Sequence, residues 1–149
     1  MRIEDEIKQA KFRNDYQRAV VNLIYTTNWL EARQEDLFKP FGITTSQYNI
    51  LRILRGQPGK SLSGAEIRSR MLERNSDISR LLDRLAKKNH IRRSQCPNDK
   101  RATDVYITES GLDILKEIDS TIDQSEKDAI HLTREEARQL SALLDKARG

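Results

Sequence analysis

The stretch NSDISRLLDRLAKKNHIRRSQCPNDKRATDVYITESG, residues 75–111, decides the fold of this chain. In its first half, apolar residues recur at spacings of three and four, which place them on one face of a helix: Ile78, Leu81, Leu82 and Leu85. The opposite face is polar and rich in arginine and lysine. Two alternating segments, HIRRSQ and ATDVYIT, predict strands, and the turn-forming residues of CPNDKR lie between them. The stretch therefore predicts a basic helix followed directly by a β-hairpin.

Two shorter helices are predicted upstream, because each begins with residues that favour a helix N-cap. Thr44-Thr45-Ser46 opens the first. Its apolar face consists of Tyr48, Ile50, Leu51, Ile53 and Leu54. Ser63 and Glu66 have the spacing of a capping box for the second, at about 64–71. The residues expected to enter the core from it are Ala65, Ile67 and Met71. The helix at about 64–71 and the basic helix that follows it are short and joined by a tight connection, which suggests a helix-turn-helix. The hairpin after them makes the unit a winged helix.

Long amphipathic segments flank this unit. The first, from about residue 5 to residue 38, is ended by Pro40 and Gly42. Its apolar seam, of helical period, consists of Tyr16, Val20, Leu23, Thr27 and Leu30. Thr108 and Thr133 can cap two further helices towards the end of the sequence. These segments cannot bury their apolar stripes alone, so we expect them to pack together and against a second copy of the chain.

Composition excludes several classes of protein. Charged residues make up 34% of the 149 residues, and the mean hydropathy is −0.76. No apolar run approaches the roughly 18 residues that a membrane-spanning helix needs. The first residues, MRIEDEIKQAKFRND, lack the apolar centre of a secretory signal, and the single cysteine suits a reducing compartment. We therefore expect a cytoplasmic protein that does not enter the membrane.

The charge is unevenly distributed along the chain. Residues 52–101 contain 14 Lys or Arg and 5 Asp or Glu, a net charge of +9. The remaining residues carry a net charge of −5. A basic middle between acidic flanks is typical of a module that binds a polyanion. A solvated charged face is the alternative that charge alone leaves open.

The ordered motifs of residues 75–111 resemble the MarR (multiple-antibiotic-resistance regulator) family of bacterial winged-helix transcription factors. The matching elements are Asp83-Arg84-Leu85, Ile91-Arg92-Arg93, Asp99-Lys100-Arg101 and Ile107-Thr108-Glu109-Ser110-Gly111. The resemblance implies an obligate homodimer held by the first and last helices, with a recognition helix in a major groove and a wing in a minor groove. Asn89 replaces the usual glycine after the recognition helix, and Lys100 stands where arginine is common.

The predicted fold class is thus mainly α with a small β-hairpin wing (α+β), a winged helix-turn-helix with long N- and C-terminal dimerisation helices. We expect a single domain over residues 1–149. Dimerisation helices would occupy about 1–38 and 109–149, and the winged-helix DNA-binding lobe about 44–108.

Candidate DNA contacts begin in the N-terminal half of the recognition helix, which reaches base edges in such folds. That half contains Ser76, Asp77, Ser79 and Arg80. Arg80 could fork onto a guanine, whereas Asp77 suits a cytosine or a brace for a neighbouring arginine. For the side chain of Arg84, one turn further on, contact with a phosphate and simple exposure to solvent are equally good explanations.

The hairpin tip supplies the second set of candidates. Arg101 suits insertion into a narrow minor groove, and Lys100 suits a phosphate. Asp99 cannot contact DNA on grounds of charge, so a structural role in the turn is expected. A polar hairpin tip without DNA contacts is the alternative for all three residues.

Catalytic and metal sites are not indicated. His90 and His131 are isolated, and no nucleophile–base pair or phosphate-binding loop is visible. We therefore expect no enzymatic activity, no cofactor and no metal. Cys96 has basic neighbours that could lower its thiol pKa, but with no second cysteine to resolve a sulfenic acid a bystander is favoured over a redox switch.

A small-molecule effector is a further implication of the resemblance, in the crevice between the dimerisation helices and the winged helix. Its expected lining residues are Tyr25, Trp29, Arg33, Tyr48 and Arg52. Core packing explains the aromatic ones equally well. The predicted function is a sequence-specific, ligand-responsive repressor that binds a pseudo-palindromic operator on double-stranded DNA as a homodimer. The alternative is a winged-helix protein-interaction module without specific DNA binding.

Overall fold

The part of the chain that the structure describes forms seven α-helices, a short 3-10 helix at Lys39–Phe41 and a small three-stranded sheet. The computed structural model describes residues 1–73, 77–96 and 99–149, with the side chains in those ranges except at positions 96, 99–102, 124, 126 and 129. The helices are α1 (Ile3–Glu6), α2 (Asp15–Phe38), α3 (Thr45–Arg55), α4 (Gly64–Arg70), α5 (Ile78–Lys87), α6 (Glu109–Ile130) and α7 (Arg134–Arg148). The strands are β1 (Leu62–Ser63), β2 (Ile91–Cys96) and β3 (Asp99–Ile107), in the order β1-β3-β2. The predicted class, mainly α with a β-hairpin wing, is confirmed.

Four predicted helix starts are confirmed at the level of single hydrogen bonds. The side chains of Thr44, Ser63 and Thr133 each accept from the backbone three residues on, and each is reciprocated in a full capping box. Thr108 caps α6 by accepting from the N–H of Gly111 at 3.1 Å. These starts were predictable because a cap is a local contact within four residues.

The first helix is shorter than predicted. It was expected from about residue 5, but α2 begins at Asp15, after a separate turn of helix, α1. The reason is a reciprocal cap, in which Asn14 accepts from the N–H of Gln17 while the Gln17 side chain accepts from the N–H of Arg13. The chain before it folds back along α2, where Glu4 pairs with Arg18 at 2.7 Å.

Helix α3 lies at the centre of the core. It contacts α2, α4, α5, α6 and β3. The buried side chains of this core include Ile50, Leu51, Leu54, Ile67, Met71, Ile78, Leu82, Leu85, Ile91, Val105, Leu115 and Ile118. The expectation that Ala65 enters the core was wrong, because its position on α4 faces solvent.

Strand β3 is longer than predicted, and a third strand joins the hairpin. Arg93 pairs with Val105, and after an irregularity beyond Gln95 the backbone of Cys96 pairs with that of Asp99. The tip residues expected in the turn, 99–101, therefore belong to β3, because a bulge of this kind lets strands of unequal length stay paired. The two-residue strand β1 pairs with β3 on the other side. No helix in the described ranges is both long enough and apolar enough to cross a membrane.

The turn after α5 is docked on the first turn of α6. Asn89 takes the predicted left-handed conformation, at φ 58°. Thr108 donates its hydroxyl to the Asn89 carbonyl at 2.6 Å and its N–H to the His90 carbonyl at 3.1 Å. Gly111 is required here, because a Cβ at this position would overlap the His90 carbonyl oxygen and lie 2.8 Å from Cγ1 of Ile107.

Replacing Gly111 by alanine should therefore destabilise the protein by about 1–3 kcal/mol, the usual cost of overpacking. Gly64→Ala is the matched control, since nothing lies within 4 Å of a Cβ there and its φ is not positive. The control should be neutral or stabilise by about 0.4–1 kcal/mol through the unfolded state. The measurement is the free energy of unfolding from urea titration. Equal effects of the two substitutions would contradict the close approach of His90 to α6.

The docking of α1 on α2 should depend on pH. The ion pair between Glu4 on α1 and Arg18 on α2, together with a backbone hydrogen bond, lowers the pKa of the Glu4 carboxyl from 4.5 to about 2. Because the folded pKa is lowered, the carboxylate holds α1 in place above about pH 4.5, and this contribution is lost as the pH falls towards 2.

Hydrogen exchange of the Ile7 amide, which donates to the Ile3 carbonyl within this turn, reports the docking. After correction for intrinsic rates, its protection should fall across this range while amides of α3 stay protected. Glu4→Gln cannot ionise and should show low protection with no pH dependence. Protection that persists in acid in the wild type would rule out this role for Glu4.

Candidate nucleic-acid interface

Helix α5 presents a polar face because its apolar face is fixed in the core. Ile78, Leu82 and Leu85 are buried on that face. The residues that remain exposed on the opposite face are Ser79, Arg80, Asp83, Arg84 and Lys87. The helix therefore offers a mixed but predominantly basic surface next to the hairpin.

Asp77 has a defined local role. It stands just before α5 and accepts from the N–H of Arg80 at 3.2 Å, so it is the N-cap of the helix. Asp77 was predicted on the polar face within the helix, as a base contact or a brace for an arginine side chain. It lies just before the helix, and its carboxylate accepts from the backbone N–H of Arg80, which fixes where α5 begins. Its contact with a base stays a prediction.

The predicted helix contacts lie on one side of α5. Arg80 and Arg84 are exposed one turn apart, and Ser79 is exposed beside Arg80. Ser76 lies outside the described residues. For the wing candidates, the backbone of Asp99, Lys100 and Arg101 is part of β3. Their side chains, and that of Cys96, lie outside the described part of the structure.

Two basic residues that were not predicted to contact DNA are held by contacts within the fold. The guanidinium of Arg93 donates to Asp83 at 2.6 Å and to the Ser79 carbonyl at 3.2 Å, both on α5. Arg92, on the other face of β2, lies 4.6 Å over the ring of Tyr106. Alternation along the strand separates the two arginines, but the partner of each depends on the strand register, which the sequence did not fix.

The C-terminal end of α5 is anchored as well. The ammonium group of Lys88 donates to the carbonyl of Gly42, in the turn between α2 and α3. His90, next in the turn, lies 3.0 Å from the hydroxyl of Ser110 on α6. Burial, and then the charge of Lys88, lower the pKa of His90, which favours its neutral form. Within the described ranges, no group of three or more His, Cys, Asp and Glu side chains could hold a metal ion.

The predicted effector residues fall into two groups. Arg33, Tyr48 and Arg52 line a cleft of about 390 Å³ between α2, α3 and α6. Tyr25 and Trp29 are not among the described residues that line it. The hydroxyl of Tyr25 donates to Glu6 at 2.5 Å, and this hydrogen bond raises the Tyr25 pKa. Trp29 contacts one of the lining residues, Arg33, whose guanidinium lies 4.8 Å from the centroid of the Trp29 ring.

Apolar side chains on the long helices face solvent. The exposed ones on α2 and α7 are Tyr16, Val20, Leu23, Ile24, Leu140 and Leu143. Tyr16 is 84% exposed and Leu143 is 64% exposed, although both lie at core-type positions of amphipathic helices. Such an exposed apolar surface is typical of a protein–protein interface.

Comparison with known proteins agrees with this architecture. A model of the MarR family matches residues 43–103, which run from just before α3 into β3. The chain is 29% identical to the HTH-type transcriptional regulator SarZ of Staphylococcus epidermidis over 105 residues, which are 70% of this chain and 69% of SarZ. The MarR transcription factor of Planctomyces limnophilus superposes with a TM-score of 0.72 at 29% identity, over 91% of this chain and 98% of that one.

A DNA complex is among the similar solved structures. In the S. aureus MepR–DNA complex, the protein chain is 25% identical to this one and superposes with a TM-score of 0.73, over 92% of this chain and 97% of that one. In its winged-helix fold and in its sequence, the chain is therefore similar to transcription regulators of the MarR family.

Proposed function

We propose that this DNA-binding transcription regulator is a ligand-responsive repressor that recognises a pseudo-palindromic operator as a homodimer. The observation that carries the proposal is the exposed basic face of α5, held rigidly beside the β2–β3 hairpin. The proposal also places the protein in the cytoplasm, where a bacterial regulator meets the chromosome.

The recognition helix has the dimensions and chemistry that a major groove accepts. An α-helix with its side chains is about 10–12 Å across, and the major groove of B-DNA is about 12 Å wide. Arg80 lies in the first turn of α5, three residues after the N-cap, and can donate two hydrogen bonds to a guanine. Arg84, one turn further into the helix, suits a phosphate. Ser76, Asp77 and Ser79 would lie along the same edge, and Lys100 and Arg101 would reach the flanking minor groove from the hairpin tip.

Dimer formation is supported by the exposed apolar residues of α2 and α7. A monomer would leave Val20 and Leu143 in water at positions where amphipathic helices pack. A second copy that covers them would present two α5 helices to one duplex. Two half-sites about 10 base pairs apart, in inverted repeat, would then match the two-fold symmetry.

Ligand response is supported by the cleft between α2, α3 and α6. Its volume lies within the range of about 300–1,000 Å³ that is common for small-molecule sites. Arg33 and Arg52 line it, so an anionic ligand is favoured over a neutral one. Because the cleft borders both the long helices and α3, a ligand there could favour one arrangement of the two recognition helices over another.

The proposal is tested by selection from a random duplex library at physiological salt. Enrichment of an inverted repeat with half-sites about one helical turn apart would support specific binding by a dimer. Binding without enrichment that vanishes as the salt concentration rises would leave only counterion release. The function as a protein-interaction module would then be the better explanation.

Arg80→Ala should lower affinity for the selected operator by about 1–3 kcal/mol and relax the preference at one base position. Arg84→Ala is the matched control, one turn along the same helix. It should weaken binding to all sequences alike and reduce the slope of log K against log salt by about 0.9. Both quantities follow from titration of operator and scrambled duplexes at several salt concentrations. A uniform loss for Arg80→Ala would make Arg80 a phosphate contact.

Leu143→Glu should disrupt the dimer, because it introduces a charge into the apolar surface of α7. Sedimentation equilibrium should give the wild type a mass of twice 17.3 kDa and shift the variant towards 17.3 kDa. Ser141→Glu adds the same charge to a different face of α7 and should remain dimeric. A wild type that sediments as a monomer at micromolar concentration would contradict the proposed dimer.

A further inference from the structure

We propose that Arg93 is a positioning residue for the recognition helix, acting through Asp83 and Ser79, and is not itself a ligand of DNA. The inference rests on the proposed DNA-binding function and adds to it a residue that fixes how α5 is presented.

The strand register directs the Arg93 side chain towards α5. Residues two apart on a strand share a face, so Arg93 lies on the same face of β2 as Ile91. Ile91 is 3% exposed, and Val105, the register partner of Arg93, is fully buried. This face of the sheet packs on α5. The guanidinium of Arg93 lies at the edge of the core, beside α5, where it is partly exposed.

The guanidinium holds two groups that lie one turn apart on the helix. Nη1 donates to Oδ1 of Asp83 at 2.6 Å, and Nη2 donates to the Ser79 carbonyl at 3.2 Å. In an α-helix, that carbonyl is also the acceptor for the backbone N–H of Asp83. A planar guanidinium that spans both groups fixes the rotation of α5 relative to the hairpin, which a single contact would not do.

The location of this contact favours a role in positioning over a role in stability. The side chains of Arg93 and Asp83 are 30% and 59% exposed, and exposed ion pairs contribute little to stability. Ser79 immediately precedes Arg80, the residue proposed to read a base. A rotation of α5 would therefore move Arg80 out of hydrogen-bonding geometry, on which such contacts depend steeply.

The charge of Asp83 supports the same conclusion. A carboxylate on the exposed face of a DNA-reading helix repels phosphates, so its presence calls for another function. Pairing with Arg93 supplies one and cancels the charge locally. Arg93 then has little net charge to offer a phosphate, unlike Arg80 and Arg84, which are exposed on the helix itself.

The test compares Arg93→Met, Asp83→Ala, the double variant and Arg93→Lys, with Arg92→Met as the matched control. Each is titrated with the operator selected by the wild type and with random duplex, over a range of salt concentrations. Methionine keeps the aliphatic stem of Arg93, and lysine keeps its charge without the planar fork. Arg92 lies on the opposite face of the same strand, over Tyr106, so its substitution should leave the operator-to-random affinity ratio unchanged.

For Arg93→Met and for Asp83→Ala we expect a fall in the operator-to-random ratio of about tenfold, the size of one lost base contact. The double variant should lose no more than either single variant, because the two residues act as one unit. Arg93→Lys should not restore the ratio.

Asp83→Ala should also bind random duplex more tightly, since it removes a negative charge, and this sign separates positioning from simple electrostatics. The free energy of unfolding should change little in each variant, and Asp83→Ala tests the inference if Arg93→Met does not fold.

Other outcomes overturn the inference. A uniform loss in Arg93→Met, with a salt slope smaller by about 0.9, would make Arg93 a phosphate ligand. Single variants that retain the wild-type ratio, or losses that add in the double variant, would also refute it while leaving the proposed function intact. If the wild type itself selects no sequence, the proposed function and this inference fall together.

Discussion

Burial of the apolar face of α3 is the constraint on which the arrangement of the whole molecule depends. Ile50, Leu51 and Leu54 are at most 1% exposed, and the elements packed around them are α2, α4, α5, α6 and β3. The long helices and the winged helix thus share one core. The position of α5 is defined relative to α3, and so is that of α2 and α6. A shift of α3 against either side would have to repack both, which makes α3 the physical link between the long helices and the recognition helix.

The net charge of +9 over residues 52–101 overstates the charge that faces a ligand. Several of these cations hold the fold together. Arg55 pairs with Asp119 at 2.5 Å across α3 and α6, Arg93 pairs with Asp83, and Lys88 binds the carbonyl of Gly42. Arg93 and Lys88 fix where α5 lies, and Arg55 joins α3 to α6, while Arg80 and Arg84 lie exposed on the surface of α5. The positive charge of this region therefore positions α5 as well as attracting a polyanion. A salt dependence of DNA binding calculated from all of these charges would be too steep.

Local features of this fold could be predicted from the sequence, and long-range ones could not. The caps at Thr44, Ser63, Thr108 and Thr133 were predictable because each depends on contacts within four residues. The start of α2 was missed because residues 1–14 contain no proline or glycine that would mark a helix boundary, and only the reciprocal cap of Asn14 with Gln17 sets it. Strand β1 has two residues, too few for any alternation to be visible.

The candidate site shows the same limit. The exposed face of α5 followed from periodicity, but the N-cap role of Asp77 depended on a helix boundary, which sequence patterns fix only to within a few residues. The contact of Arg93 with α5 joins residues ten and fourteen positions apart through a strand register that no local pattern specifies. Of the effector candidates, Arg33, Tyr48 and Arg52 came together in the cleft because they lie on facing sides of α2 and α3. Tyr25 did not, because α1 folds back and engages its hydroxyl.

The proposed response to a ligand would pass from the cleft to the DNA-binding helices through α3. The side chains of α3 that line it are Thr45, Tyr48, Asn49 and Arg52, whereas those that support α5 fill the opposite, apolar face. Asn49 is buried and lies 3.6 Å from the sulfur of Met71, at the end of α4, and it also accepts from Arg52. A ligand that draws Arg52 into the cleft would therefore disturb a buried amide that touches the first helix of the helix-turn-helix. A buried polar group tolerates the loss of a partner poorly, so such a ligand would bind one arrangement of α3 and α4 better than another. In the proposed dimer, this difference in affinity is what would shift the two recognition helices.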